Sequence, residues 1–147
     1  MMEHPLNMAP ATVTQLLGLE LIDGAGSATP IEAELHYDPS DPYAVTAVFL
    51  TGDSPVRWTF GRDLLLEGIA EPAGDGDVHV WPCMDADGRP VVLMELCSPD
   101  GEALIQARTE QLAAFLDRVT AAVPPGSEPR LLDIDSALAA IFAAESA

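Results

Sequence analysis

The chain has 147 residues, and 24 acidic against 6 basic side chains give it a net charge of −18. A chain of this length buries about 68–70% of its unfolded surface. With 48% hydrophobic residues and a mean hydropathy of +0.19 it offsets its ordering entropy, which excludes a disordered chain. All six basic residues are arginine (Arg57, Arg62, Arg89, Arg108, Arg118 and Arg130), which argues against binding duplex DNA or anionic membrane surfaces and favours protein or cation partners.

In chain order, residues 1–10 read as a flexible leader without a positive n-region or a long apolar run, so no secretory signal is expected. Residues 12–22 are rich in strand formers and end at Asp23-Gly24-Ala25-Gly26-Ser27, a turn. Residues 31–37 alternate strictly, with Glu32, Glu34 and His36 on the polar face of a half-buried strand. Asp38-Pro39-Ser40-Asp41-Pro42 forces the next turn. Residues 43–51 and 56–60 form a hairpin, with Val56, Trp58 and Phe60 on one face. Arg62 to Glu67 is a short helix with three consecutive leucines, and Gly68 is placed to stop it.

Residues 71–76 are a loop by composition. The strand at 77–81 leads to Asp87-Gly88, a two-residue hairpin signal, and then to a strand at 89–97. That register sets Cys83 nearer Val92 than Cys97, so the two cysteines are expected to be buried free thiols. Ser98-Pro99-Asp100-Gly101 turns the chain into a strand at 103–108. The period then changes to 3.6: Leu112, Phe115, Leu116, Val119 and Val123 form one helix stripe, with Thr109 as N-cap. Val123-Pro124-Pro125-Gly126 ends that helix. A last helix is predicted from about residue 135, with Leu138, Ile141 and Phe142 on one side and Asp133 or Asp135 as its cap. Strands first and helices last predict an α+β domain on antiparallel sheet.

No catalytic or metal constellation emerges. His4, His36 and His79 are far apart, and neither cysteine has a second one nearby. Asp85-Ala86-Asp87-Gly88 resembles the opening of a calcium loop, but Pro90 and Leu96 stand where that loop needs Gly and Glu. Gly24-Ala25-Gly26 lacks the third glycine, the lysine and the helix of a phosphate loop. No G-x-S-x-G elbow is present. Trp58 and Phe60 share the apolar parity of a core, whereas Trp81 shares parity with Asp77 and His79 and is expected to be partly exposed.

Five collinear stretches resemble the sporulation and cell-division (SsgA-like) protein family of actinomycetes. They are Tyr37-Asp38-Pro39-Ser40-Asp41-Pro42-Tyr43-Ala44-Val45, Phe60-Gly61-Arg62-Asp63-Leu64-Leu65-Leu66-Glu67-Gly68, Gly76-Asp77-Val78-His79-Val80-Trp81-Pro82, Leu96-Cys97-Ser98-Pro99-Asp100-Gly101-Glu102-Ala103-Leu104 and Val123-Pro124-Pro125-Gly126-Ser127-Glu128. The resemblance covers roughly residues 15–144, within a single domain at 11–147. It implies a whirly-like fold of about seven or eight antiparallel strands, a short mid-chain helix and two C-terminal helices, assembled as a homotrimer. It also implies a non-enzymatic regulator of sporulation-specific cell division, without cofactor or metal. Such a protein is cytoplasmic, concentrated at division septa, and positions septa or recruits the tubulin-like division GTPase FtsZ. Single-stranded nucleic-acid binding is the alternative that fold analogy offers, and the net charge of −18 disfavours it. No membrane insertion is expected. The candidate partner-binding residues are Arg62, Asp63 and Glu67 on the short helix, the partly exposed Trp81, and the stiff turn of Val123, Pro124, Pro125 and Gly126.

Overall fold

The alternating segments become antiparallel strands in the computed structural model, which describes residues 11–127. A first meander holds β1 (Val13–Ile22), β2 (Ala28–Tyr37), β3 (Ala44–Leu50) and β4 (Val56–Gly61). Helix α1 (Arg62–Gly68) leads to a second meander of β5 (Ala73–Asp75), β6 (Val78–Met84), β7 (Pro90–Ser98) and β8 (Gly101–Arg108), followed by α2 (Thr109–Ala122). All eight strands join one sheet in the order β4-β3-β2-β1-β8-β7-β6-β5. The two meanders are joined into that sheet where β1 pairs with β8, from Glu20 opposite Gln106 to Ile22 opposite Leu104.

One core spans both halves, so the sheet curls around it. Leu17, Leu35, Phe49 and Phe60 from the first meander share it with Val80, Val92, Met94 and Ile105 from the second. The predicted stripe of α2 fills the middle: Leu112, Phe115, Leu116, Val119 and Val123 are all at most 2% exposed. Each such side chain contributes roughly 1.5–3 kcal/mol. No helix among the described residues is long and apolar enough to cross a membrane. The predicted last helix lies outside the described residues.

Several local expectations are corrected. The turn at 86–88 has three residues, not two: Asp85 N–H donates to Arg89 O at 2.9 Å, and Gly88 takes φ +79°. The Asp85 carboxylate selects this longer turn by accepting the N–H groups of Asp87 and Arg89, both at 2.9 Å. Cys83 therefore stands opposite Val91, and both cysteines are free, but Cys83 is exposed and Cys97 half-buried instead of both being buried. Helix α2 starts at Thr109 with Arg108 at the N-cap and no side-chain cap bond. Residues 73–75, read as loop, pair with β6 as β5 because the neighbouring strand satisfies their backbone groups.

Gly68 is the last of these. It is the last residue of α1, where the helix does end, but it is not the left-handed cap expected of a stopping glycine. A side chain there would meet Val80, whose Cβ stands 2.6 Å from the position of an added Cβ. The missing side chain lets α1 settle on β6.

Candidate functional site

Two of the stretches that carry the family resemblance are joined by Arg62. Its backbone N–H donates to Tyr43 O at 2.8 Å, and its Nη1 donates to the Tyr37 hydroxyl at 3.0 Å. The Tyr37 hydroxyl in turn donates to Pro42 O at 2.9 Å, and the guanidinium lies 5.6 Å from the Tyr37 ring centroid. Within the same turn Asp38 accepts the N–H and hydroxyl of Ser40, both at 2.9 Å, and these bonds hold its carboxyl below the usual range. Arg62 is 0% exposed. Of the residues expected among partner contacts, Arg62 thus lies inside the folded chain, against the Tyr37 hydroxyl and ring. Asp63 and Glu67 are exposed, four residues apart on one face of α1.

Trp81 is half-buried, as its parity predicted, in a shallow cleft with Pro72, Gly74, His79 and Glu95. His79 Nδ1 stands 3.8 Å from Glu95 Oε1. Pairing carries Trp81 to Leu93 on β7, and Glu95 to Leu104 on β8 and Ile22 on β1. The outer face of the second meander thus presents three half-buried apolar side chains, Trp81, Leu93 and Leu104, among Glu95, Glu102 and Gln106, and Ile22 of β1 continues it into the first meander. Cys97 shares this face; partial burial, then the carboxylates of Glu95, Glu102 and Asp77, push its thiol above the usual range. The first meander's outer face is mixed: Thr14, Glu34, His36, Thr46, Arg57 and Thr59 share it with Val48 and with Leu16 and Leu50, which are 57% and 44% exposed.

The stiff turn after α2 divides. Val123 is buried, while Pro124, Pro125 and Gly126 are exposed, with Gly126 at φ +90°. Ser127 N–H closes the turn on Pro124 O at 3.0 Å. The candidate residues therefore sit on three separate elements: α1, β6 and the turn after α2. Among the described residues, no three His, Cys, Asp or Glu side chains converge to hold a metal ion.

A further surface, not singled out from the sequence, is the free edge of β4. Arg62 N–H donates to Tyr43 O, so that pair is hydrogen-bonded, and antiparallel alternation fixes the rest. Val56, Trp58 and Phe60 turn their backbone groups to β3. Arg57, Thr59 and Gly61 turn theirs outward. The side chains of Arg57 and Thr59 are exposed, and the Thr59 hydroxyl pairs with that of Thr46 at 2.9 Å. Edge polarity follows from register, which a single strand's sequence does not reveal.

The family described as "Streptomyces sporulation and cell division protein, SsgA" matches residues 31–128. The chain is 51% identical to "Sporulation-specific cell division protein SsgB" of Kineococcus radiotolerans over 84% of this chain and 75% of that protein. It is 49% identical to the protein of that name from Streptomyces coelicolor, over 90% and 96%. A solved structure described as "Mutations in SsgB correlate to longitudinal cell division during sporulation of Streptomyces coelicolor" matches with TM-score 0.79 at 49% identity, covering 83% of this chain and 96% of that one. The crystal structure of an SsgA-like sporulation-specific cell division protein from Thermobifida fusca matches with TM-score 0.80 at 39% identity, over 90% and 97%. Held together by the Arg62–Tyr37–Pro42 contacts and matched along nearly all its length, the chain belongs to the SsgA family of sporulation and cell division proteins.

Proposed function

We propose that this protein is a non-enzymatic adaptor of sporulation-specific cell division, which positions septa by recruiting FtsZ as a cytoplasmic homotrimer concentrated at the septum. The observation that carries this reading is the near-full-length identity of about half with proteins named for sporulation-specific cell division. The two four-stranded meanders around one helix-filled core fit the whirly-like arrangement. The apolar outer side chains of Trp81, Leu93, Leu104 and Ile22 fit a contact between copies, since apolar surface that is only half covered favours association. Asp63 and Glu67 on α1, with Pro124, Pro125 and Gly126, offer exposed, stiffly held contacts for a septal partner. The net charge of −18 and the acid beside Trp81 oppose a single-strand nucleic-acid role.

Co-sedimentation with polymers of FtsZ from the same organism, at low and high salt, tests the recruitment. Co-pelleting that survives high salt is expected. Absence from the pellet at both salt concentrations would remove direct recruitment.

A further inference from the structure

The sheet has two ends, and they are finished differently. At one end β5 pairs over only Ala73–Asp75, which leaves β6 uncovered from Trp81 onward. That stretch is blunted by Pro82. The bond from Cys97 N–H to Asp77 O sets the alternation, which points the Pro82 nitrogen away from β7, where a proline offers no donor to an incoming strand. Pro72 stands just before β5.

At the other end Pro55 stands just before β4, as Pro72 does before β5, but the six residues of β4 contain no proline. The outward N–H and C=O groups of Arg57 and Thr59 and the outward N–H of Gly61 pair with no other strand, while the Gly61 C=O, at the N-cap of α1, is placed for that helix's first bond. On its core side Val56 is 45% exposed and Trp58 half-buried, so the apolar layer stops short at this edge. On its outer side stands Arg57, the strand's one formal charge, in a chain of net charge −18. The nearest acids in sequence, Asp53 and Asp63, lie beyond its ends.

We propose that β4 is a docking edge to which a partner protein adds an extended segment, apolar where it covers Val56 and Trp58 and acidic where it meets Arg57. Main-chain bonds supply affinity in this mode, and alternate side chains supply selectivity. Opposite charges across neighbouring strands favour such a pair, and like charges oppose it. A second copy fits less well. Pairing two β4 edges brings one Arg57 toward the other between chains of the same large negative charge. It also closes after two copies, which a threefold assembly does not use. The inference rests on the adaptor reading above and specifies where the partner is held.

Gly61→Pro is the main test. Gly61 already has φ −67°, the proline value, and an added Cβ meets nothing closer than Tyr43 O at 3.9 Å. The variant therefore keeps the fold, with its thermal midpoint unchanged or raised, while its ring replaces an outward N–H. Arg57→Glu is the second variant, altering charge without touching the backbone. The probe is a blocked peptide of alternating valine and glutamate as long as β4, read by amide exchange and tryptophan fluorescence.

Wild-type protein should bind it saturably, with slowed exchange at Arg57, Thr59 and Gly61, and each variant should bind roughly tenfold more weakly. No binding by wild type, or equal binding by both variants, overturns the proposal. So does a changed mass of the free Gly61→Pro assembly, which would assign the edge to a second copy. With FtsZ as the probe the two readings separate. Equal co-pelleting of wild type and Gly61→Pro sinks the docking edge and leaves the adaptor. Failure of wild type to co-pellet while the peptide protects the edge sinks direct recruitment and leaves the docking edge.

Discussion

The two meanders have the same strand count and the same up-and-down order, yet their edges are finished differently. The first ends in β4, entered through Pro55, whose outward backbone groups at Arg57 and Thr59 pair with no other strand. The second ends in a three-residue strand, and Pro82 interrupts β6 beyond it. Their outer faces are both mixed: the first sets Leu16, Val48 and Leu50 among polar side chains, and the second sets Trp81, Leu93 and Leu104 among Glu95, Glu102 and Gln106. On the function proposed above, contact between copies falls to the second half and capture of a partner to the first.

The largest expected effect comes from Arg62, which fixes the first meander's turn to α1. Arg62→Ala removes the bond to the Tyr37 hydroxyl and empties a fully buried site, at a cost of about 2–5 kcal/mol, as for other large-to-alanine changes in a core. Denaturant unfolding checks this; a loss near zero would mean that the Tyr37–Pro42 contacts stand without it. Next comes Gly68→Ala, which sets a methyl group against Val80 on the second meander and should cost about 1–3 kcal/mol. A midpoint equal to wild type would show that α1 moves freely over β6.

Leu104→Glu places a charge among the apolar side chains of the second meander's outer face and should lower the assembly mass seen by native mass spectrometry, with little change in the fold. Gly126→Ala has a smaller effect: the added Cβ meets open space, and the cost, about 1 kcal/mol, comes from φ +90° alone. If septum placement and assembly mass both stay normal in a strain carrying it, the turn is a connector only.

The smallest effects concern titration. The raised Cys97 thiol stays protonated at mildly alkaline pH, so a thiol reagent should modify the exposed Cys83 first. Asp38 is held below its ordinary value of 3.8, so its stabilising effect is present above that value and fades as pH falls through the lower folded one. Asp38→Asn should flatten the acid limb of the stability profile.

Much of the fold was legible because burial imposes a period. Strict alternation at 31–37 marked β2, and the 3.6-residue stripe from Leu112 to Val123 marked α2 with every side chain buried. What failed was set by distant neighbours. Gly74 and its flanking residues carry no strand propensity, yet they pair with β6 because its edge is there. Gly68 reads as a stop, but its cause is Val80, remote in sequence. Arg62 reads as a surface charge at a helix start, whereas the fold buries it against the Tyr37 ring and hydroxyl, remote in sequence.

The candidate site divides in the same way. Trp81 was placed correctly by parity, whereas its apolar companions Leu93, Leu104 and Ile22 come from three other strands. The β4 edge was invisible because strand order, not strand sequence, decides which strand lies last. Function was legible through the collinear family stretches and not through any constellation of reactive groups.

Sedimentation velocity of Leu104→Glu and Gly61→Pro, each alone and with FtsZ, tests the division of labour most directly. The account predicts that Leu104→Glu loses the assembly of copies and still binds its partner through the β4 edge, while Gly61→Pro keeps the assembly and loses the partner. A single variant that abolishes both, or the reverse pattern of losses, would contradict it.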